Sequence, residues 1–122
     1  MAKTLLIVDD SASIRQVVSM TLKGAGYDVI EASNASEALG KLTGQRVNLI
    51  ISDVNAPSMD GLTLIEEVKR LPAYRFTPFV MLTTETEPDK RERARAAGAK
   101  AWVIKPFHPQ QMLDAVAKLV QP

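Results

Sequence analysis

The run Leu5-Leu6-Ile7-Val8-Asp9-Asp10 decides how this chain folds. Four apolar residues in succession read as a strand buried on both faces, the kind found in parallel sheets. The two carboxylates that follow mark its carboxyl end. The same grammar recurs twice: Leu49-Ile50-Ile51-Ser52 leads into Asp53, and Trp102-Val103-Ile104 leads into Lys105. In open α/β sheets, ligands bind outside the carboxyl ends of the strands. Three acids and one amine therefore gather at the edge where chemistry is expected.

Between these strands the apolar period changes from continuous to helical. Ile14, Val17, Val18 and Leu22 recur at helix spacing, and Gly24 and Gly26 end that helix. Val29-Ile30 is a short strand signal. Ala35, Ala38, Leu39 and Leu42 form the second stripe, closed by Gly44; Val47 to Ser52 is the third strand. Leu64, Ile65, Val68 and Leu71 form the third helix, stopped by Pro72, and Phe79 to Thr83 is the fourth strand. A fourth helix is predicted from about Pro88 to Gly98, with Ala94, Ala96 and Ala97 as its inward residues. Alanine buries little area, so this helix should be the least firmly held. Ala101 to Ile104 is the fifth strand, and a last helix follows Pro109, with Leu113, Val116, Ala117 and Val120 on one face. Five βα units in a row predict a doubly wound parallel sheet with helices on both faces, joined by right-handed crossovers.

The 122 residues suit one domain, 1–122, able to bury a core without staples, and the chain ends with the last helix, so no attached output domain is expected. The absence of cysteine excludes disulfides, thiolate metal sites and thiol chemistry, and fits a reducing compartment. A net charge of +1 supplies no global field to recruit nucleic acid or anionic lipid. No apolar run approaches the roughly 20 residues of a membrane helix, and the N-terminus lacks the regions of a signal peptide. The expectation is a soluble, cytoplasmic monomer.

Carboxylates at one sheet edge repel each other by about 4 kcal/mol per pair at ~4 Å and an effective dielectric of 20. They must protonate, separate or share a cation. Magnesium, with manganese as a substitute, matches an all-oxygen donor set and commonly takes one or two carboxylates plus a phosphate. His108 alone cannot build a zinc site; it reads as a surface residue at the start of the last helix. Asp53 is the best nucleophile candidate, since carboxylates attack phosphorus to form aspartyl phosphates. Lys105 supplies a second cation, and Thr83 offers a hydroxyl to a phosphoryl oxygen. Singly, each has a plainer explanation: Asp10 or Ser11 as the cap of the first helix, Asp53 as a loop residue before the Pro57 turn, Lys105 as a solvated lysine, Thr83 as a β-branched strand residue.

Taken together, Asp9-Asp10, Asp53, Thr83 and Lys105-Pro106-Phe107 resemble the receiver domains of two-component response regulators, over essentially the whole chain. Among these the chain is most similar to single-domain, CheY-like chemotaxis regulators. The resemblance implies a flavodoxin-like (βα)5 fold of strand order 2-1-3-4-5. It implies that Asp53 accepts a phosphoryl group from a CheA-like histidine kinase, or slowly from acetyl phosphate, in a magnesium-dependent reaction. Such a protein catalyses only its own phosphorylation and dephosphorylation. Asp10 and Asp53 would ligate the metal directly, Asp9 through water, and Asn55 by its backbone carbonyl. Thr83 and Lys105 would contact the phosphoryl oxygens, and the Lys105-Pro106 bond is expected to be cis, which X-Pro tolerates cheaply. Asn55 and Glu85 would border the attacking water and tune dephosphorylation toward a short-lived phosphoform. Trp102 stands where the family usually has Tyr or Phe and would move inward as Thr83 moves toward the phosphoryl group. Thr84 replaces a usual alanine, and Ala56 a usual methionine.

The added charge and acceptor oxygens would then reposition the fourth predicted helix, the fifth strand and the last helix. That face would bind a flagellar motor switch or another effector. A phosphate sink or regulator of a non-motor pathway is the alternative. More distant are a haloacid dehalogenase-type aspartyl-phosphate hydrolase, which would need an acid where Asn55 stands, and a flavodoxin-like binding module, whose phosphate loop Asp9 and Asp10 would repel. Lys90, Arg91, Arg93, Arg95 and Lys100 are interleaved with Glu87, Asp89 and Glu92, so they read as a solvated face, not a nucleic-acid site.

Overall fold

A computed structural model of the chain describes residues 2–53, 61–83, 92, 95–105 and 107–120, with 61, 62 and 83 described by their backbone. Five strands, β1 (Thr4–Val8), β2 (Asp28–Ala32), β3 (Leu49–Asp53), β4 (Phe79–Thr83) and β5 (Ala99–Ile104), form one parallel sheet of order β2-β1-β3-β4-β5. This is the doubly wound, flavodoxin-like order that the resemblance implied. Helices α1 (Ala12–Gly24), α2 (Ala35–Lys41), α3 (Gly61–Lys69) and a C-terminal helix (Pro109–Ala117) connect and cover the strands.

Strand alternation divides the core in two. Leu6, Val8, Ile50, Phe79 and Met81 face α2 and α3, where Ala35, Ala38, Leu64, Ile65 and Val68 meet them. Leu5, Ile7, Leu49, Ile51, Val80 and Leu82 face α1 and the C-terminal helix, meeting Val18, Leu22, Met112 and Val116. β3, at the centre, is buried at every residue. A strand covered on both faces needs apolar residues at odd and even positions alike, which explains the continuous runs.

Local chemistry sets the helix ends. Ser11, not Asp10, caps α1: its hydroxyl accepts from the Ile14 N–H. At the other end Gly26, at φ 100°, lets its N–H reach Lys23 O and the Tyr27 N–H reach Leu22 O, the paired bonds of a Schellman turn. Asn34 caps α2 by accepting from Glu37 N–H, while the Glu37 carboxylate accepts from Ser33 N–H. His108 is exposed and caps the C-terminal helix, its N–H donating to Gln111 Oε1 at 2.9 Å.

Several expected boundaries move. β3 begins at Leu49, with Val47 buried ahead of it, and runs through Asp53. α3 ends at Lys69, three residues before Pro72, as Arg70 and Leu71 donate to carbonyls three residues back. β5 starts at Ala99: Lys100 is an extra residue between the pairs Phe79–Ala99 and Val80–Ala101, a bulge. Of the predicted fourth helix, residues 95–97 are helical and stop at Gly98. Ala97 packs on the core, but Ala96 is exposed, so it is not an inward residue. Ala94 lies outside the described residues. The last helix buries Met112, which the apolar stripe read from the sequence omitted, together with Val116.

Candidate functional site

The sheet order creates the site. The chain leaves β1 for β2 on one side and returns to place β3 on the other, so a crevice opens beyond the carboxyl ends of β1 and β3. Val8 pairs with Ser52. The next residue on each strand, Asp9 and Asp53, therefore flanks that crevice. Asp10 is exposed at its mouth, and carboxylate oxygens of Asp9, Asp10 and Asp53 lie within 4.8 Å of one another.

Lys105, carried in past β4 by β5, closes the constellation. Its Nζ donates to Asp9 Oδ2 at 2.7 Å and to Asp53 Oδ2 at 2.9 Å. Asp9 is fully buried, and the Lys105 side chain is 12% exposed, so these are not solvent-screened surface pairs. Burial acts to lower the Lys105 pKa; hydrogen bonds and charge from Asp9 and Asp53 outweigh it and raise the pKa from its ordinary value.

Asp9 is held on every side. Its N–H donates to Ala32 O at 3.2 Å, and its carbonyl accepts from Arg15 Nη1 at 2.6 Å. Its Oδ1 accepts from the Ser11 N–H at 2.9 Å. Arg15 and the Ser11 amide were not singled out in the sequence. The signal was available for Arg15, which sits four residues after the cap of α1 and so faces back toward the Asp9 turn.

Three carboxylates against one ammonium leave an excess of two negative charges when all are ionised, so a divalent cation balances them. An octahedral ion with oxygen bonds of 2.0–2.1 Å spans about 4.2 Å between opposite ligands. The donors here all lie within 4.8 Å of one another, close enough to share such an ion. The residues present thus fit a hard divalent cation, with Asp9 already committed to Ser11 and Lys105, and Asp10 at the solvent side.

Trp102 lies on β5 opposite Met81 and packs, half-buried, on the core beneath α2 and α3. Thr83 ends β4 opposite Ile104, which places its backbone at the same sheet edge as Asp53. Phe107 packs on the other core and helps to line a small apolar groove with Ile14, Val17 and Lys105. Asn55, Ala56, Thr84, Glu85 and Pro106 lie outside the described residues, as do Lys90, Arg91 and Arg93. The described part of the expected effector face is a shallow cleft of about 580 Å³ between β5 and the C-terminal helix, lined by Trp102, Ile104, Gln111 and Lys118 among others. No described helix is long and apolar enough to cross a membrane.

The response regulator receiver domain model matches residues 5–117. The chain is 39% identical over 112 residues to a chemotaxis protein CheY homolog of Campylobacter jejuni, spanning 90% of this chain and 86% of that protein. It is 34% identical over 111 residues to the phosphate regulon transcriptional regulatory protein PhoB of Pseudomonas aeruginosa, covering 91% of this chain but only 48%, about half, of that relative. The solved structure of chemotaxis response regulator CheY4 of Vibrio cholerae superposes with a TM-score of 0.93 at 45% identity, over 98% of this chain and 100% of that one. A family match over nearly the whole chain, a sheet of order 2-1-3-4-5 and acids and lysine meeting at its carboxyl edge agree: the chain belongs to the response regulator receiver domain family.

Proposed function

We propose that this receiver accepts a phosphoryl group on Asp53 from the phosphohistidine of a CheA-like histidine kinase, with a divalent cation, magnesium or manganese, held by Asp9, Asp10, Asp53 and the Asn55 carbonyl. The observation that carries this reading is the ammonium of Lys105 bonded to Asp53 at the edge where the three carboxylates converge. Lys105 holds the Asp53 carboxylate in place for attack. A carboxylate oxygen forms the new P–O bond as the P–N bond of the donor breaks; the electron pair stays with the departing imidazole, which takes its proton from solvent. When bound, the cation neutralises charge on the transferring phosphoryl group. Lys105 can then follow the charge from the carboxylate to the phosphoryl oxygens, and Thr83 at the adjacent strand end supplies a hydroxyl. The role of Asn55 and Glu85 is to border the water that hydrolyses the acyl phosphate.

In this reading Trp102 and the cleft between β5 and the C-terminal helix report the phosphorylation state to an effector. Similarity over most of the length of a CheY homolog favours a chemotaxis output such as the flagellar motor switch. Similarity to PhoB keeps a non-motor pathway as the second reading. The test is intact-mass analysis after incubation with acetyl phosphate or phosphoramidate and magnesium. One added phosphoryl group that vanishes in Asp53→Asn supports the proposal. Unmodified protein, or modification at another residue, overturns it. The response of Trp102 fluorescence to magnesium and then to beryllofluoride checks both ligands in turn.

A further inference from the structure

Asp9 closes a circuit that reaches beyond the carboxylates. Its N–H bonds to Ala32 O at the end of β2. Glu31, the residue before Ala32, lies 3.5 Å from Arg15 Nε. The other end of that guanidinium donates to Asp9 O at 2.6 Å. One planar group thus ties the first turn of α1 to both the β1 exit and the edge strand. A hydrogen bond to Asp9 O from one nitrogen and an ion pair to Glu31 from another, both on one rigid plane, are what guanidinium offers and ammonium does not. The Arg15 side chain is 19% exposed, so the contact to the carbonyl is largely sheltered. Lys105 and Ser11 hold the Asp9 carboxylate, but within this set Arg15 alone holds its carbonyl, and with it the peptide that leads to Asp10.

We infer that Arg15, braced by Glu31, is a positioning residue that sets the Asp9–Asp10 peptide and so presents the Asp10 carboxylate to a divalent cation. The inference rests on the reading of Asp9, Asp10 and Asp53 as a cation site. Because Glu31 offsets the charge of Arg15, the pair contributes geometry and little net field. This separates positioning from simple electrostatics: removing a cation near a cation site should tighten binding, whereas removing a brace should weaken it.

The test measures magnesium dissociation constants by calorimetry for the wild type, Arg15→Lys, Arg15→Gln and Glu31→Gln, alongside thermal unfolding. The expected result is about tenfold weaker magnesium binding in Arg15→Gln, the lower end of what losing an outer partner of a metal ligand costs. Arg15→Lys keeps the charge yet should recover little, and Glu31→Gln should fall between. Thermal midpoints without metal should stay close to wild type. Unchanged or tighter binding in Arg15→Gln overturns the inference. Amide hydrogen exchange in metal-free protein keeps the two readings distinct. Faster exchange at Asp9 and Ser11 in Arg15→Lys, with Val18 and Leu22 unchanged, supports the brace even if wild type proves not to bind magnesium. Unchanged exchange at Asp9 and Ser11 rejects it.

Discussion

Lys105 Nζ stands 2.9 Å from Asp53 Oδ2, across a separation of 52 residues in the chain. The same ammonium is 2.7 Å from the fully buried Asp9. One lysine therefore compensates two sheltered carboxylates, and its removal leaves both without that partner.

Lys105→Met should accordingly destabilise metal-free protein at pH 7. Removing one partner of a buried pair costs about 3–5 kcal/mol, and the residual solvent access of this site brings the expected loss nearer 2 kcal/mol. Added magnesium should shrink the difference, because it supplies the missing positive charge. Urea unfolding in chelator and in magnesium measures both quantities; equal stability of the two proteins in chelator would contradict the pairing.

The pH dependence of that difference follows from the raised Lys105 pKa. A lysine whose folded pKa lies above its unfolded value stabilises fully at pH below the unfolded value. It loses that contribution as pH rises through the folded one. The stability gap between wild type and Lys105→Met should thus stay level from neutrality to about pH 10 and close above 10.5, the ordinary lysine value from which the pKa is raised. A gap that closed between pH 7 and 9 would contradict the direction of this shift.

Asp10 adds a third negative charge to a cluster already served by one ammonium, and it is exposed. Asp10→Asn should stabilise metal-free protein by about 0.5–1 kcal/mol, the usual yield of relieving a functional compromise, while weakening magnesium binding. Parallel unfolding and metal titrations would show the trade; a variant weaker in both would mean that Asp10 stabilises the fold itself.

Gly98 turns the chain into β5 at φ 126°, and a Cβ there would stand 2.9 Å from Lys69 Cε. Lys69 has little room to yield: its Nζ donates to Thr77 O at 2.8 Å and lies over the Phe79 ring. Gly98→Ala should cost about 2 kcal/mol or more from backbone strain and this contact. Combining it with Lys69→Ala should recover only the contact, so the double mutant remains well below Lys69→Ala alone. Full recovery would mean that the backbone conformation carries no strain for alanine.

Ser19 buries a hydroxyl with no hydrogen-bond partner among the described residues. An unmade bond is dearer than no polar group at all, so Ser19→Ala should be neutral or stabilising by up to about 1 kcal/mol. A clear loss of stability would show that the hydroxyl finds a partner in solution.

The parallel sheet and the gathering of Asp9, Asp53 and Lys105 at its edge were legible in the sequence, because buried parallel strands are written as unbroken apolar runs and their last residues are counted easily; the strand order came only through the family resemblance. Boundaries were less accessible. α3 stops at Lys69 although Leu71 continues its apolar period, since a terminal turn can tighten without changing which side chains point inward. Likewise, Asp10 and Ser11 are both competent caps, and the choice fell to Ser11 because Asp10 is turned to the crevice. Ala96 followed the alanine pattern and is nevertheless exposed, as a run of small residues does not define a face.

Composition and period were enough to specify the fold class, the core strands and the chemical types at the sheet edge: these depend on residue identity and on spacings of a few residues. The fork of Lys105 across two carboxylates, the bracing of Asp9 by Arg15 and Glu31, and the seating of Lys69 against Gly98 emerged only once the chain was folded. Each joins groups from separate elements, where an ångström of helix placement or a rotamer decides between contact and none, and no local pattern encodes such distances.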